Sequence, residues 1–125
     1  MNKAQAIHDF WSSFGLLAID EQSAYDEQDI ELPANYITYE LQTANFGDPI
    51  QLTASLWYYS TSWEEITEKA NEIAEYIGYG GRMLKVDGGY VWVKLGSPFA
   101  QRMAVEQENY RRIILNITVD FLTAV

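Results

Sequence analysis

Hydrophobic and polar residues alternate most regularly near the end of the chain, in residues 109–125. One side of this segment carries the apolar residues Ile113, Leu115, Ile117, Val119 and Phe121. The other side carries the polar residues Arg112, Asn116, Thr118 and Asp120. Strict alternation is typical of a half-buried β-strand. We therefore expect this strand to lie inside a sheet or to pair with its first strands, with its polar side facing solvent or a partner.

Earlier segments predict two antiparallel hairpins. Residues 36–44 and 50–60 both alternate, and the turn-forming residues 45–49 join them. Residues 82–95 form the second predicted hairpin, because Asp87-Gly88-Gly89 supplies a tight turn. Residues 96–109 have no clear period and are predicted to be a connector.

Two segments have helical spacing instead. In residues 3–14, four apolar side chains share one face: Ile7, Phe10, Trp11 and Phe14. We expect this helix to be mobile and to stop at Gly15, or to continue for one turn through Leu16, Leu17 and Ile19. The second helix is predicted to begin with a capping box, Ser62 and Glu65, and to end at Gly78. Residues 20–35, between the first helix and the first hairpin, are predicted to form a loop.

The predicted order of elements is α-β-β-α-β-β-β. Neighbouring strands that alternate favour a mainly antiparallel sheet, and two helices are expected to cover one of its faces. The predicted fold is therefore α+β, in the form of a two-layer sandwich. A length of 125 residues fits a single domain over 1–125 that buries a core without disulfides or metal.

The amino-acid composition restricts the classes of binding partner more than it restricts the fold. The net charge of -10 makes broad contact with nucleic-acid phosphates or anionic lipid unfavourable. The absence of cysteine excludes disulfides, thiolate nucleophiles and Cys-ligated zinc. Tyrosine and tryptophan are abundant, and both are enriched at protein interfaces. The N-terminus predicts neither a signal peptide nor a transmembrane span, so we expect a soluble protein with protein partners.

The sequence contains few candidates for catalytic, cofactor-binding or metal-binding residues. His8 is the only histidine, and it fits an incidental surface position better than a catalytic triad or a zinc site. The glutamates of the second helix fit a solvated face better than an acid pair. The glycines of residues 78–81 follow a helix, whereas those of a phosphate-binding loop precede one. We therefore expect no catalytic residues, no cofactor and no metal site.

Charge is distributed unevenly along the chain. Residues 20–31 contain six acidic residues and no basic one. This run fits a solvated loop, an acidic contact surface or a pore lining. Six of the eight basic residues lie in the C-terminal part: Arg82, Lys85, Lys94, Arg102, Arg111 and Arg112. Such polarity fits scattered surface charge, or a head-to-tail contact between copies that closes into a ring.

The order and lengths of these elements resemble the small tail terminator proteins of long-tailed bacteriophages, which are also called tail completion or tail-to-head joining proteins. The resemblance covers nearly the whole chain. It is carried by the strand at LPANYITYEL, the strand IQLTASLWYYS that runs into the helix SWEEITEKANEIAEYI, and the closing strand YRRIILNITVDFLTAV. A proline just before the first strand and arginines at the start of the last strand are part of the pattern.

The resemblance implies a structural viral protein and not an enzyme. Its copies would form a ring, expected to be a hexamer, that ends the tail tube and joins it to the head, although the isolated chain can be monomeric. Its partners would be copies of itself, the tail tube protein and the head–tail connector protein. DNA would pass through the ring without specific binding, and no membrane would be involved. The protein would be assembled in the host cytoplasm and located in the virion, at the head–tail junction.

The site residues that the resemblance implies are interface residues. The acidic run supplies candidates for the lumen or for contacts between subunits: Asp26, Glu27, Asp29 and Glu31. Basic candidates for joining neighbours are Arg102, Arg111 and Arg112, together with the 96–109 connector. Trp57 and Tyr59, expected to be exposed on the strand face opposite Leu56 and Tyr58, are candidate anchors.

Two other interpretations stay open. One is another minor virion protein, such as a head-closure or minor capsid protein, which the contact partner would distinguish. The other is a small, non-catalytic α+β binding module, which predicts an apolar pocket with convergent polar groups. The charge disfavours a nucleic-acid binder.

Overall fold

The computed structural model describes residues 1–26 and 32–125. Its helices are α1 (Lys3–Ser12), α2 (Glu21–Asp26) and α3 (Glu64–Ile77). Its strands are β1 (Leu17–Asp20), β2 (Asn35–Tyr39), β3 (Ile50–Tyr59), β4 (Arg82–Val86), β5 (Gly89–Met103) and β6 (Tyr110–Thr123). The prediction of an α+β fold is confirmed.

The six strands form one sheet in the order β1-β2-β3-β6-β5-β4. Four pairings are antiparallel, and β1 pairs with β2 in parallel. β6 lies between β3 and β5, which confirms that the closing strand is an interior strand. Both edge strands, β1 and β4, contact α1. The sheet is therefore curled, and the helix lies between its two edges.

One face of the sheet and the apolar faces of α1 and α3 share a hydrophobic core. β6 buries alternate residues from Ile113 to Phe121, as its pattern predicts. α1 buries Ala6, Ile7, Phe10 and Trp11, and Trp11 is only 1% exposed. Burying one large apolar side chain contributes about 1.5–3 kcal/mol. The expectation that α1 is mobile is therefore wrong, because this helix is part of the core.

The segment after α1 differs from the prediction. Residues Leu17–Asp20 form β1 instead of a further helical turn, and α2 begins directly after it at Glu21. The predicted loop over 20–35 is therefore wrong at its start, whereas residues 27–31 lie outside the described residues. Ala18 and Ile19 are both buried, so β1 lacks the alternation by which a short strand is detected.

β5 is longer than the sequence predicts. After an irregularity between Leu95 and Ala100, the strand pairs with β6 again as far as Met103. The connector predicted for 96–109 is therefore wrong up to Met103. An irregularity of this kind shifts the alternation of side chains and removes the period from the sequence.

The start of α3 is also corrected. Its N-cap is Trp63, which makes no capping hydrogen bond through its side chain. The Ser62 hydroxyl accepts a hydrogen bond from the backbone N–H of Glu64 at 3.1 Å, so the predicted Ser62–Glu65 capping box does not form. The predicted end of the helix at Gly78 is confirmed.

The two predicted hairpins are both present. β2 and β3 pair antiparallel, although β2 ends at Tyr39 and does not continue to residue 44. β4 and β5 pair antiparallel around the turn at Asp87 and Gly88. Gly88 has a φ of +76°, which a tight hairpin turn requires and which glycine adopts without strain.

Candidate functional site

The sheet face that points away from the core carries the candidate site, and we call it the outer face. In β3 the core residues fall at Leu52, Ala54, Leu56 and Tyr58. Trp57 and Tyr59 therefore point to the outer face, as predicted. Across the neighbouring strand β6, Arg112 points the same way because it is paired with Trp57.

Trp57 and Arg112 form the centre of the site. The guanidinium carbon of Arg112 lies 4.7 Å from the centre of the Trp57 ring, which is within the range of a cation–π interaction. Arg112 Nε donates a hydrogen bond to the buried Ser55 hydroxyl at 3.1 Å. Trp57 Nε1 donates to Thr38 Oγ1 at 3.0 Å. These contacts fix the orientation of both side chains within the folded chain.

Three tyrosines extend this centre across the outer face. Tyr36 stacks on Trp57, with ring centroids 6.2 Å apart and planes inclined by 15°. Tyr59 meets Tyr110 edge-on at 5.2 Å. Burial, followed by the neighbouring Tyr110, raises the pKa of the Tyr36 phenol, so this group stays neutral at physiological pH. We call Tyr36, Trp57, Tyr59, Tyr110 and Arg112 the aromatic–arginine cluster.

A cavity of about 450 Å³ adjoins the cluster. Its lining comprises Ile19, Glu21, Leu32, Tyr36, Thr38, Trp57 and Arg112. Burial raises the pKa of the Glu21 carboxyl; Glu40 adds to the rise, Arg112 opposes it, and Asp20 adds a smaller amount. The cavity combines apolar walls with one cationic and one acidic group. This arrangement can hold a partner group by contact and charge.

Arg111 points to the opposite side of β6 from Arg112. Its guanidinium donates to the backbone carbonyls of Thr61 at 2.7 Å, Glu108 at 3.0 Å and Tyr110 at 3.0 Å. These bonds tie the segment before β6 to the segment before α3. Arg111 therefore stabilises the folded chain through its two terminal nitrogens, whereas its buried Nε has no hydrogen-bond partner among the described residues.

Arg102 lies beside Arg111. Their guanidinium carbons are 4.8 Å and 5.5 Å from the centre of the Trp63 ring. Arg102 is exposed, in the part of β5 that was predicted to be a connector. The structure thus separates the three predicted arginines: Arg112 joins the aromatic–arginine cluster, and Arg102 and Arg111 flank Trp63.

The remaining predicted site residues agree with their predicted exposure and position to different degrees. Tyr59 is 56% exposed, as expected of an anchor. Trp57 is half-buried, which corrects the expectation that it is exposed, because Tyr36 and Arg112 pack against its ring. Among the acidic candidates, Asp26 ends α2. The other three lie outside the described residues: Glu27, Asp29 and Glu31.

Sequence reasoning missed Tyr36, Tyr110 and Ser55 as members of the site. The hairpin register places Tyr36 opposite Trp57, so pairing the two predicted strands would have revealed Tyr36. Tyr110 faces Tyr59 across β3 and β6, a pairing between strands distant in sequence. Nothing in the local pattern singles out Ser55, whose role depends on the same distant pairing.

His8 and the carboxylates offer little chemistry in the described part of the chain. The His8 ring lies 2.9 Å from the Tyr39 hydroxyl and 3.3 Å from the Ser12 hydroxyl, through different nitrogens. Burial, followed by Asp20, raises the pKa of Tyr39. Within residues 1–26 and 32–125, no group of three or more His, Asp or Glu side chains is arranged to hold a metal ion.

Comparison with protein-family models, with curated proteins and with solved structures finds no match. None of the helices in the described ranges has the length and apolar character that crossing a membrane requires. Function is therefore inferred from the sequence and from the site itself.

Proposed function

We propose that the protein is a tail terminator of a long-tailed bacteriophage. In this role it is structural and not enzymatic, and its copies form a ring, expected to be a hexamer, at the head–tail junction of the virion. The ring ends the tail tube and contacts the head–tail connector protein. The observation that carries the proposal is the aromatic–arginine cluster on the outer face of the sheet, which supports a protein contact surface.

The residue types of the cluster support this interpretation. Tyr, Trp and Arg dominate the energetics of protein interfaces. Trp57 and Arg112 are already oriented by hydrogen bonds to Thr38 and Ser55. Because their side chains lose little freedom on association, the contact avoids part of the usual entropic cost of binding.

The charge of the chain is compatible with a channel for DNA. A net charge of -10 repels the phosphate backbone, so DNA can pass through without being held. The exposed glutamates of α3 and the exposed residues Arg82, Lys85 and Arg102 supply opposite charges for a head-to-tail contact between copies. We also propose that each copy in the ring is a two-layer sandwich, in which the sheet is one layer and α1 and α3 are the other.

The test is deletion of the gene from its source phage or prophage, followed by electron microscopy of the lysate. We expect filled heads beside free tails of irregular or excess length, and rescue by the wild-type chain. Tyr59→Ala should rescue poorly, with infectious particles reduced about tenfold or more, because truncation of an aromatic anchor at an interface hot spot costs about 2 kcal/mol or more of binding. The matched control is Tyr79→Ala, at a fully exposed tyrosine outside the cluster, which should rescue fully.

Both variants should have the circular dichroism spectrum of the wild type, so that poor rescue reflects assembly and not folding. Normal virions after deletion would overturn the proposal. A defect in the heads alone would replace it with a head-closure or minor capsid protein.

The cavity beside Arg112 favours a second candidate, a small non-catalytic binding module. Its volume of about 450 Å³ lies in the range of small-molecule sites. This alternative predicts normal virions after deletion, so the same experiment separates the two functions.

A further inference from the structure

A groove of about 620 Å³ runs along the edge of the sheet between α1 and β1. Its apolar walls include Ala4 from α1, Leu17, Ala18 and Ile19 from β1, and Leu41 after β2. We call it the β1-edge groove. It lies beside the aromatic–arginine cluster but is a separate feature, since none of the cluster residues lines it.

The backbone of β1 gives this groove a specific binding mode. β1 pairs with β2 on one side, and in the described ranges no strand pairs with its other side. An edge strand presents N–H and C=O groups with which an added extended segment can form hydrogen bonds. An added strand would lie about 4.8 Å from β1, with α1 as the opposite wall of the groove.

Carboxylates gather at one end of the groove. Asp20 and Leu41 line both the groove and an adjoining cavity of about 180 Å³, which Glu21 and Glu40 also line. Asp9 also lines the groove, from α1, but it does not line the carboxylate cavity. This end of the groove is therefore strongly acidic.

The ion pairs of the described residues do not include the carboxylates at this end of the groove, and Arg112 acts on Glu21 without forming an ion pair with it. None of these pairs includes Asp20, Glu21 or Glu40. Residues 27–31 contain no lysine or arginine, so they cannot supply a basic partner either. The raised pKa of Glu21 agrees with a site where negative charge is unfavourable until a cation arrives, although Arg112 partly offsets it.

We propose that the β1-edge groove binds an extended segment of a partner protein in which apolar residues alternate with lysine or arginine. The main chain of the segment pairs with β1, its apolar side chains fill the groove, and one basic side chain enters the carboxylate cavity. This activity goes beyond the proposed ring and does not require it.

A second copy of this chain is the competing occupant, since β4 is also a basic edge strand. In the folded chain, however, β4 lies against its own α1. Met83, Leu84 and Lys85 of β4 already line a cavity with residues of that helix. β4 of a second copy would therefore reach the groove only with its own α1 attached, whereas an extended partner segment brings no helix with it.

The test measures binding of two synthetic peptides to the full chain by fluorescence anisotropy. One peptide alternates valine with lysine, and the other carries glutamate in place of every lysine. We expect the lysine peptide to bind and the glutamate peptide not to bind. Methylation of the backbone nitrogens along one edge of the lysine peptide should abolish binding, whereas methylation along the other edge should not. Binding should also slow amide hydrogen exchange in β1.

Substitutions in the carboxylate cavity test whether a lysine side chain of the peptide enters it. Combining Asp20→Asn with Glu40→Gln should weaken binding of the lysine peptide about tenfold or more, which is about 1.4 kcal/mol. Asp20 Oδ1 accepts a hydrogen bond from the Gln22 N–H at 3.0 Å, and the amide oxygen of the substituted side chain can still accept it. Glu68→Gln, on the exposed side of α3, is the matched control and should leave binding unchanged.

Ala4→Trp provides a second, independent variant. Ala4 is exposed on α1 and lines the groove, so the larger side chain should block binding while the chain stays folded. Equal binding of both peptides, no binding of the lysine peptide, or indifference to backbone methylation would each overturn the proposal. Self-association of the wild type that Ala4→Trp abolishes would also overturn it, in favour of a second copy.

Discussion

At the scale of single residues, Glu21 is a carboxyl group whose surroundings disfavour its negative charge. It lines the cavity beside Arg112 and also the carboxylate cavity at the end of the β1-edge groove. Burial is the largest cause of its raised pKa, and Glu40 adds to the rise more than Asp20 does. Arg112 opposes the rise without cancelling it, so the net effect of folding is to disfavour the carboxylate.

Replacement of Glu21 by glutamine should therefore stabilise the isolated protein near neutral pH. The pKa of Glu21 is raised above 4.5 in the folded chain, so its ionised form costs stability at pH values above the folded pKa. The cost disappears as pH falls below the unfolded value. Because the group is partly solvated, we expect a gain of less than about 1 kcal/mol. Thermal unfolding across this pH range measures it.

Glu68→Gln, on the exposed side of α3, is the matched control and should change the free energy of unfolding near neutral pH by less than about 0.5 kcal/mol. A Glu21→Gln protein less stable than the wild type near neutral pH would mean that the attraction of Arg112 outweighs burial and the other carboxylates.

Three residues of the aromatic–arginine cluster were predicted from the sequence, but Tyr36, Tyr110 and the contacts within the cluster were not. Aromatic and basic residues on the outward positions of strands identified Trp57, Tyr59 and Arg112. Arg112 and Ser55 are 57 positions apart in the chain, and their hydrogen bond depends on the register of β3 against β6. Adjacent residues of a strand point to opposite faces, so the sequence alone indicates that Arg111 and Arg112 do not share one surface.

At the scale of elements, β5 and β6 leave no room for a side chain at Gly89. A Cβ atom at this position would lie 2.1 Å from the carbonyl oxygen of Leu122 and 3.0 Å from Cβ of Thr123. Gly89 pairs with Thr123 at the end of the ladder. Only glycine allows the two backbones to reach this separation, because the nearest atom belongs to the backbone and cannot rotate away.

Gly89→Ala should therefore force the ends of β5 and β6 apart. We expect the free energy of unfolding to fall by about 1–3 kcal/mol, as measured by urea denaturation. Gly80→Ala is the matched control, because a Cβ atom there meets nothing within 4 Å. It should change stability by less than about 0.5 kcal/mol. Similar losses in both variants would show that the close approach at Gly89 is not what matters.

The elements with a clear period were predicted well, and those without one were missed. α3, the two hairpins and β6 each follow one period over many residues. β1 is four residues long and pairs in parallel with a strand that follows a helix, so its local pattern carries almost no information. The second half of β5 lost its period at the irregularity after Leu95. Pairing with other strands, and not the local sequence preference, determines that both segments are strands.

At the scale of the whole molecule, β6 joins the two halves of the sheet. It pairs with β3 along one side and with β5 along the other, and its core face lies beneath the helices. α1 contacts both edges of the same sheet. Since every large element shares one core, loss of packing in β6 should weaken the whole chain and not a part of it.

Leu115→Ala tests this coupling. Leu115 is fully buried between its partners Ala54 and Ala100, so its truncation leaves a cavity and should cost about 2–5 kcal/mol. Ile114→Ala, the adjacent half-buried residue on the outer face, should cost less. In urea, tryptophan fluorescence, to which Trp11 of α1 contributes, and far-ultraviolet circular dichroism should report one coincident transition in both variants. A fluorescence change that precedes the loss of circular dichroism would instead show that α1 separates before the sheet unfolds.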